Sequence, residues 1–544
     1  MALRYPVRAT DAHDYPLTIG QLLRTAIDTR SAEQIVGSDG RRRGYAELKR
    51  RIGRLAASLA ARGVEEGDVV AVMDWDSHRY LEAYFAVPMM GAVLQTVNVR
   101  LSFDQIAYTL ASTGARTLLF HTDFTDLAER LCAELPHIAT RIPMRDAPGD
   151  LPAIVSGAEY EAMLAESETL FPFAEFDERA LATTFHTTGT TGRPKAVAFS
   201  HRQLVLHTLA ATATLANQPE RQGLRRGDVY MPITPMFHVH AWGLPYVATM
   251  LGLKQVYPGR YVPDRLVALK RAEGVNFSHG VPTILQMIVD ALGEERVDRW
   301  TMVVGGSALS AALVEAAAAR GITALAGYGM SETAPIVSIA RHDDGDPRDP
   351  IEVRRQAGRP IPLVQCRIVD AEMRDIADGE QGELVLRTPW LTAGYGNDAD
   401  ACEALWRGGW LHTQDVARIA AEGDVLICDR LKDVIKTGGE WVSSGDMENL
   451  AVRCPKVAAA AFIGVPDVRW GERPVAFVVA EPGERVTIEA LHADLGRFVA
   501  DGTISRYALP DRLFQIEALP RTSVGKIDKV ALRRMFDAME ASAA

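Results

Sequence analysis

The chain has 544 residues, with 59 Lys and Arg against 70 Asp and Glu, a formal charge of −11 and 47% apolar residues. At roughly 100–200 residues per domain this length calls for several domains, and the apolar content excludes disorder as a description of the whole. An acidic chain lacks the basic footprint that a nucleic-acid backbone requires, so nucleic acid is excluded as a general partner and any anionic ligand must be held by local donors.

The first residues, MALRYPVRATDAHDYPL, contain no apolar core of the kind a secretory signal needs. Tyr45, Leu48, Ile52, Leu55 and Leu59 recur at spacings of three and four, which predicts a helix with one buried face and a solvated Arg/Lys face. Gly63 and Gly67 then bracket a turn into Val69–Met73, a short apolar run suited to a buried strand. The alternation continues through Phe85–Thr96, Thr117–Phe120, Val275–Phe277 and Thr301–Val304, and strands separated by helices imply parallel sheets covered on both faces.

Val229–Leu253 carries no Lys, Arg, Asp or Glu and is long enough to cross a bilayer. Pro232, Pro235, Pro245, His238 and His240 would break such a helix, so the stretch reads as buried protein lining a cavity, with no transmembrane segment. From about Glu352 short strands (Gln365–Val369, Gly382–Arg387, Val425–Ile427) alternate with Gly- and Asp-rich turns, as in a small β-rich subdomain. Beyond Arg430 the tail has strand candidates of its own at Val457–Val465 and Pro474–Ala480, and is long enough for a separate domain. The fold class is thus α/β: a large N-terminal domain, 1–429, of stacked, mostly parallel sheets with helices and a β-rich subdomain, then a small α+β domain, 430–544. Five scattered cysteines, Cys132, Cys366, Cys402, Cys428 and Cys454, form no CxxC pair and suit a reducing cytoplasm.

Thr187-Thr188-Gly189-Thr190-Thr191-Gly192-Arg193-Pro194-Lys195 is the most informative segment. Its glycines admit close approach of the backbone, and its N–H groups, hydroxyls and lysine form a concave donor set for phosphate oxygens. It does not have the P-loop spacing. Further on stand Gly327-Tyr328-Gly329-Met330-Ser331-Glu332-Thr333, His412-Thr413-Gln414-Asp415, Asp429–Trp441 with Lys432 and Lys436, and Pro520-Arg521-Thr522-Ser523-Val524-Gly525-Lys526.

In this order the motifs resemble those of adenylate-forming acyl-CoA synthetases. Phe237–Trp242 (FHVHAW) and Gly438–Ser444 (GGEWVSS) look most like the medium- and long-chain fatty acyl-CoA branch. The resemblance implies two steps: a carboxylate attacks the ATP α-phosphate to give acyl-AMP and pyrophosphate, then the coenzyme A thiol displaces AMP. Its implied substrates and cofactors are ATP, Mg²⁺, coenzyme A and a small carboxylic acid, and homodimerisation is left open.

The same resemblance implies the residue roles. Lys526 would bridge the attacking carboxylate and α-phosphate. Thr187 and Glu332 would ligate Mg²⁺, and Thr188, Gly189, Thr190, Thr191, Gly192 and Lys195 would hold the triphosphate. Tyr328 would stack on adenine, and Asp415 and Arg430 would hold the ribose; Gly327, Ser331, Thr333, Val239 and Gly305, the last in the family's Gly-rich acyl-pocket segment, are further cofactor-binding candidates. Lys432 would be the hinge of a mobile small domain, with Lys436 and Trp441 near the nucleotide or pantetheine tunnel. Lys529 reads as a solvated charge, and Arg469 and Arg473 as additions to the coenzyme A surface.

His238 and Trp242 are four apart, which on a helical turn puts them on one side as cavity walls beside Gly306 and Ser307. His238 is the further catalytic candidate. No acid follows Phe237, which favours an uncharged acyl chain over an amino acid; aryl, short-chain and thioether acids, and a catalytically silent binding relative, are the alternatives. His186 and Ala196 depart from the family pattern, and Ala196 requires a negative φ.

Overall fold

A computed structural model describes residues 3–147, 149, 152–155, 158–187, 193–219, 222–396, 398–437, 440–521 and 527–543. The expected alternation is present. Tyr45–Ala60 is a helix burying Tyr45, Leu48, Ile52, Leu55 and Leu59. Its charged face is not wholly solvated, because Arg51 turns inward to ion pairs with Glu82 at 2.6 Å and Glu161 at 2.7 Å. Val69–Met73, Thr117–His121 and Trp300–Val304 are strands buried along almost their whole length, as expected of parallel sheets covered on both faces. Phe85 ends up in the helix His78–Met89, and Val93–Thr96 is the strand that follows.

Two large sheets carry the N-terminal part. One contains Tyr395–Gly396, Lys195–Ser200, Leu181–Thr187, Val93–Thr96, Val69–Met73, Thr117–His121 and Thr140–Met144, in that spatial order. The last five run parallel, whereas Leu181–Thr187 and Lys195–Ser200 form an antiparallel pair with Thr187 directly opposite Lys195. The other sheet is parallel from Ile322–Gly329 through Trp300–Val304, Phe277–Gly280, Val229–Pro232 and Lys254–Val256 to Gln34–Val36. Antiparallel strands close both of its edges.

The expected β-rich subdomain is an antiparallel sheet of Gln365–Val369, Gly382–Arg387, Leu411–Ile419 and Val425–Arg430. The C-terminal part has its own sheet, centred on the long hairpin Val457–Asp467 and Gly471–Ala480, and its own buried cores beginning at Ile435. Contacts at the junction tie it to the preceding strand: the Ser444 N–H and hydroxyl both donate to Asp429 Oδ2 at 2.5 Å, and the Ser443 hydroxyl donates to the Cys428 carbonyl at 2.6 Å.

The uncharged stretch forms a strand (Val229–Pro232), a tight turn and a short helix (Leu244–Leu251). Among the described residues no helix is long and apolar enough to cross a membrane.

Candidate active site

Three sheets contribute the motif residues. From the first sheet come Thr187 and Lys195, opposite each other at the base of the Thr/Gly loop. Thr188, Gly189, Thr190, Thr191 and Gly192 lie outside the described residues, as does Lys526. From the second sheet comes the end of Ile322–Gly329, with Tyr328, followed by a single 3₁₀ turn, Ser331–Thr333, that carries Glu332. The third supplies Asp415 and Arg430, which are cross-strand partners.

Tyr328, Asp415 and Arg430 form one connected polar cluster. The Tyr328 hydroxyl donates to Asp415 Oδ2 at 2.6 Å, and Arg430 Nε lies 2.7 Å from Asp415 Oδ1. Asp415 is buried, and a carboxylate, with two oxygens that can each accept more than one hydrogen bond, has the chemistry to accept hydroxyls of a ribose. Two glycines let the backbones close up here. A Cβ on Gly305 would sit 2.5 Å from the Gly327 carbonyl oxygen, and one on Gly329 would collide with the Pro335 carbonyl.

Glu332 is 6% exposed, and burial pushes its carboxyl above the usual carboxylate range, opposed by a hydrogen bond from Tyr395 and by the charges of Arg430 and Lys195. The Tyr395 hydroxyl donates to Glu332 Oε1 at 2.6 Å, and the Thr392 N–H donates to the Glu332 carbonyl at 3.0 Å. A buried carboxylate whose cationic neighbours act only through space is a fitting ligand for a divalent cation. Among the described residues no three His, Cys, Asp or Glu side chains could cage a metal, so a bound Mg²⁺ would take its remaining ligands from phosphate and water, as that ion commonly does.

Sequence reasoning missed Tyr395 and Asp398. The Lys195 ammonium lies 4.7 Å from the Tyr395 ring centroid and 3.4 Å from Asp398 Oδ2. The one available signal was the pair of glycines around Tyr395, which lets Tyr395–Gly396 lie as an edge strand on Lys195–Ser200.

Several expectations need correction. Val239, His240, Ala241 and Trp242 have φ of 47°, 55°, 46° and 59°, a left-handed turn, so right-handed spacing does not align His238 with Trp242. His238 is exposed, whereas Trp242 is 6% exposed, packed against Gly305 with its ring centroid 5.2 Å from that of His279. Val239 is buried in the core, and Gly306 and Ser307 are exposed.

The Thr333 hydroxyl is spent within its own turn, donating to the Pro335 carbonyl and accepting the Met330 N–H, and it is fully buried, so the turn rather than a nucleotide holds it. Lys436 and Trp441 face each other across an exposed hairpin, the ammonium 5.3 Å from the indole centroid. Lys432 is exposed and sits between Leu431 and Asp433, with Arg533 donating to its carbonyl.

Lys529 is not a solvated charge: it pairs with Glu448 at 2.8 Å and donates to the Ser444 hydroxyl. Arg473 is a structural clasp bonded to Asp511, Thr437 and two backbone carbonyls. Arg469 instead stacks on Trp470, whose ring centroid lies 5.5 Å from that of Tyr507, with Arg506 over the latter.

His186 is buried and neutral, with its pKa pushed down to about 4 and Nε2 at 3.0 Å from the Ser112 hydroxyl, so its role is packing against the helix Phe103–Thr113. Ala196 has a negative φ and pairs with His186, so its methyl is accommodated.

Hydrogen bonds from distant elements hold the left-handed turn. Asp76 accepts the Met236 N–H at 2.8 Å, Tyr84 donates to the Met236 carbonyl, and the Thr96 hydroxyl donates to the Phe237 carbonyl at 2.9 Å. None of the three anchors is legible near the motif.

Comparison with known proteins agrees with this arrangement. The family model for AMP-binding enzymes matches residues 23–396, and that for the AMP-binding enzyme C-terminal domain matches 446–526. A long-chain-fatty-acid–CoA ligase of Thermus thermophilus is 41% identical over 503 residues, 90% of each chain. A 3-methylmercaptopropionyl-CoA ligase of Ruegeria lacuscaerulensis is 34% identical over 96% of this chain and 97% of its own. The anthranilate CoA ligase AuaEII, solved with anthranoyl-AMP, superposes with a TM-score of 0.83 at 23% identity, covering 97% of this chain and 99% of that one. The chain belongs to the AMP-binding enzyme family, as an AMP-forming acid–thiol ligase.

Proposed function

We propose that the protein activates a medium- or long-chain fatty acid as acyl-AMP and transfers the acyl group to coenzyme A. The observation that carries this reading is the cluster joining Tyr328, Asp415 and Arg430, beside the buried Glu332 on the same chain segment. Asp415 would hold the ribose, Tyr328 the adenine, and Thr187, Lys195 and the loop between them the phosphates. Mg²⁺, when bound at Glu332 and Thr187, supplies positive charge to the phosphoryl oxygens. Lys526, five residues after Arg521 in the sequence, would steer the carboxylate onto the α-phosphate.

The acyl chain would lie along Trp242 and Gly305, where the stretch from Val229 to Leu253 offers no charge to meet a polar substrate. The Trp470–Tyr507 pair with Arg469 and Arg506 has the aromatic and cationic character that the adenosine phosphate end of coenzyme A requires. We place the domain boundary at 429/430 with Lys432 as hinge, and the enzyme, with five free cysteines, in the cytoplasm.

An aryl or thioether acid is the second reading; the Trp242 ring, backed by the buried His279, is the aromatic surface that a flat aryl substrate would use. Acid-dependent pyrophosphate release, measured with acetate through palmitate, 3-methylmercaptopropionate, cinnamate and benzoate, separates the two. A maximum at eight carbons or more supports the fatty-acid reading, a maximum with cinnamate or the thioether overturns it, and no release with any acid overturns both.

A further inference from the structure

The edge strand Tyr395–Gly396 lies antiparallel on Lys195–Ser200, with Gly396 opposite Ala196, so the chain leaves the sheet beside Lys195. Two residues later Asp398 caps the helix Ala399–Leu405. Its two carboxylate oxygens have separate partners: Oδ1 accepts the Ala401 N–H at 3.0 Å, and Oδ2 lies 3.4 Å from the Lys195 ammonium. The Ala401 N–H, and after it Lys195, hold the Asp398 carboxyl below the usual carboxylate range, so it is ionised at neutral pH.

We propose that Asp398 is a built-in competitor for Lys195, a carboxylate that holds the ammonium until nucleotide phosphates displace it, and thereby sets the affinity for ATP. The inference rests on the reading of Lys195 as a triphosphate ligand. Its physical basis is a pair made to exchange. Both side chains are part-exposed, 38% for Lys195 and 42% for Asp398, so releasing the ion pair costs little. Asp398 keeps its helix-cap bond when the lysine leaves, so it is not left without a partner. A triphosphate carries several negative charges against one on the carboxylate and takes the lysine by Coulomb attraction. Once displaced, the carboxylate remains close to the phosphates and repels them. Both effects weaken nucleotide binding, and both apply equally to pyrophosphate on its way out.

The test is calorimetric titration of MgATP, without carboxylic acid so that no turnover occurs, into wild type, Asp398→Asn, Lys195→Met and the double variant. Asparagine preserves the cap and removes only the charge; Asp398→Ser is a second cap-preserving variant should the first fold poorly. The expected result is an ATP Kd lowered about two- to fivefold in Asp398→Asn, an effect that shrinks at high salt, with AMP affinity unchanged. Lys195→Met should weaken ATP binding, and in that background Asp398→Asn should have at most a residual effect. ATP affinity that is unchanged or weaker in both Asp398 variants, alongside a weakened Lys195→Met, overturns the competitor role alone. ATP affinity that is unchanged in Lys195→Met overturns the phosphate reading on which it rests.

Discussion

Replacing Asp76 with alanine should disturb acid recognition from a position that touches no substrate. Four consecutive non-glycine residues, Val239 to Trp242, are held in the left-handed region. At about 1–2 kcal/mol per residue, such a turn stores on the order of 4–8 kcal/mol that the surroundings must offset. Asp76 supplies one of the anchors, accepting the buried Met236 N–H and the Tyr261 hydroxyl. Its loss orphans both donors, at about 1–3 kcal/mol each, a large fraction of what restrains the turn.

The turn carries Trp242 against Gly305. The expected outcome for Asp76→Ala is therefore an acid KM raised roughly tenfold, as a loss of about 1.4 kcal/mol would produce. The KM for ATP should stay within about twofold, because the nucleotide cluster is built on other strands. Steady-state kinetics with decanoate and ATP varied in turn, alongside thermal melting, is the assay. A lowered melting temperature with an unchanged acid KM would refute the reasoning and return the turn to a purely structural role.

The same carboxyl gives a pH prediction. Burial pushes Asp76 up to about 8, against the Tyr261 and Met236 hydrogen bonds and the charge of Arg100, with Asp74 adding to the rise. The unfolded value is about 3.9, so the folded chain retains a proton across this interval and stability falls as pH rises from about 4 to 8. Asp76→Asn should flatten that fall, so its melting temperature relative to wild type should rise between pH 5 and 9; a constant difference would contradict the assignment. Lys529→Met leaves the part-buried Glu448 with the Phe462 N–H but without its cation and should cost about 1–3 kcal/mol, seen as earlier unfolding in denaturant; a shift under about 0.5 kcal/mol would mean that solvent already screens the pair. Lys526→Ala should abolish acyl-AMP formation while leaving thioester formation from supplied acyl-AMP largely intact, and equal loss of both would show that its role is misassigned. Trp242→Ala should shift chain preference, and an unchanged acid profile would return Trp242 to the core.

The buried strands and the order of the motifs are legible because both are local. An apolar run such as Val69–Met73 must be covered, and a Gly-bearing loop such as Gly327–Thr333 announces its turn within a few residues. The left-handed turn at Val239–Trp242 is not legible, since a β-branched valine at positive φ is unfavourable on its own. It exists because Asp76, Tyr84 and Thr96, all more than 130 residues away, hold the preceding backbone. Tyr395 and Asp398 are hidden for the same reason: 63 residues separate Tyr395 from Glu332, and only the sheet brings them together. Lys529 looks like any surface lysine until Glu448 is packed beside it. The adenylate cluster was readable as a set of residue types, whereas the groups that orient those residues were not.

The central claim is tested most directly by identifying what becomes of ATP in a single turnover. With MgATP and decanoate but no coenzyme A, the account predicts that AMP is retained as decanoyl-AMP with one equivalent of pyrophosphate per site. Adding coenzyme A should then release AMP and form the thioester. Formation of ADP and phosphate, or thioester without a preceding adenylate, would contradict it.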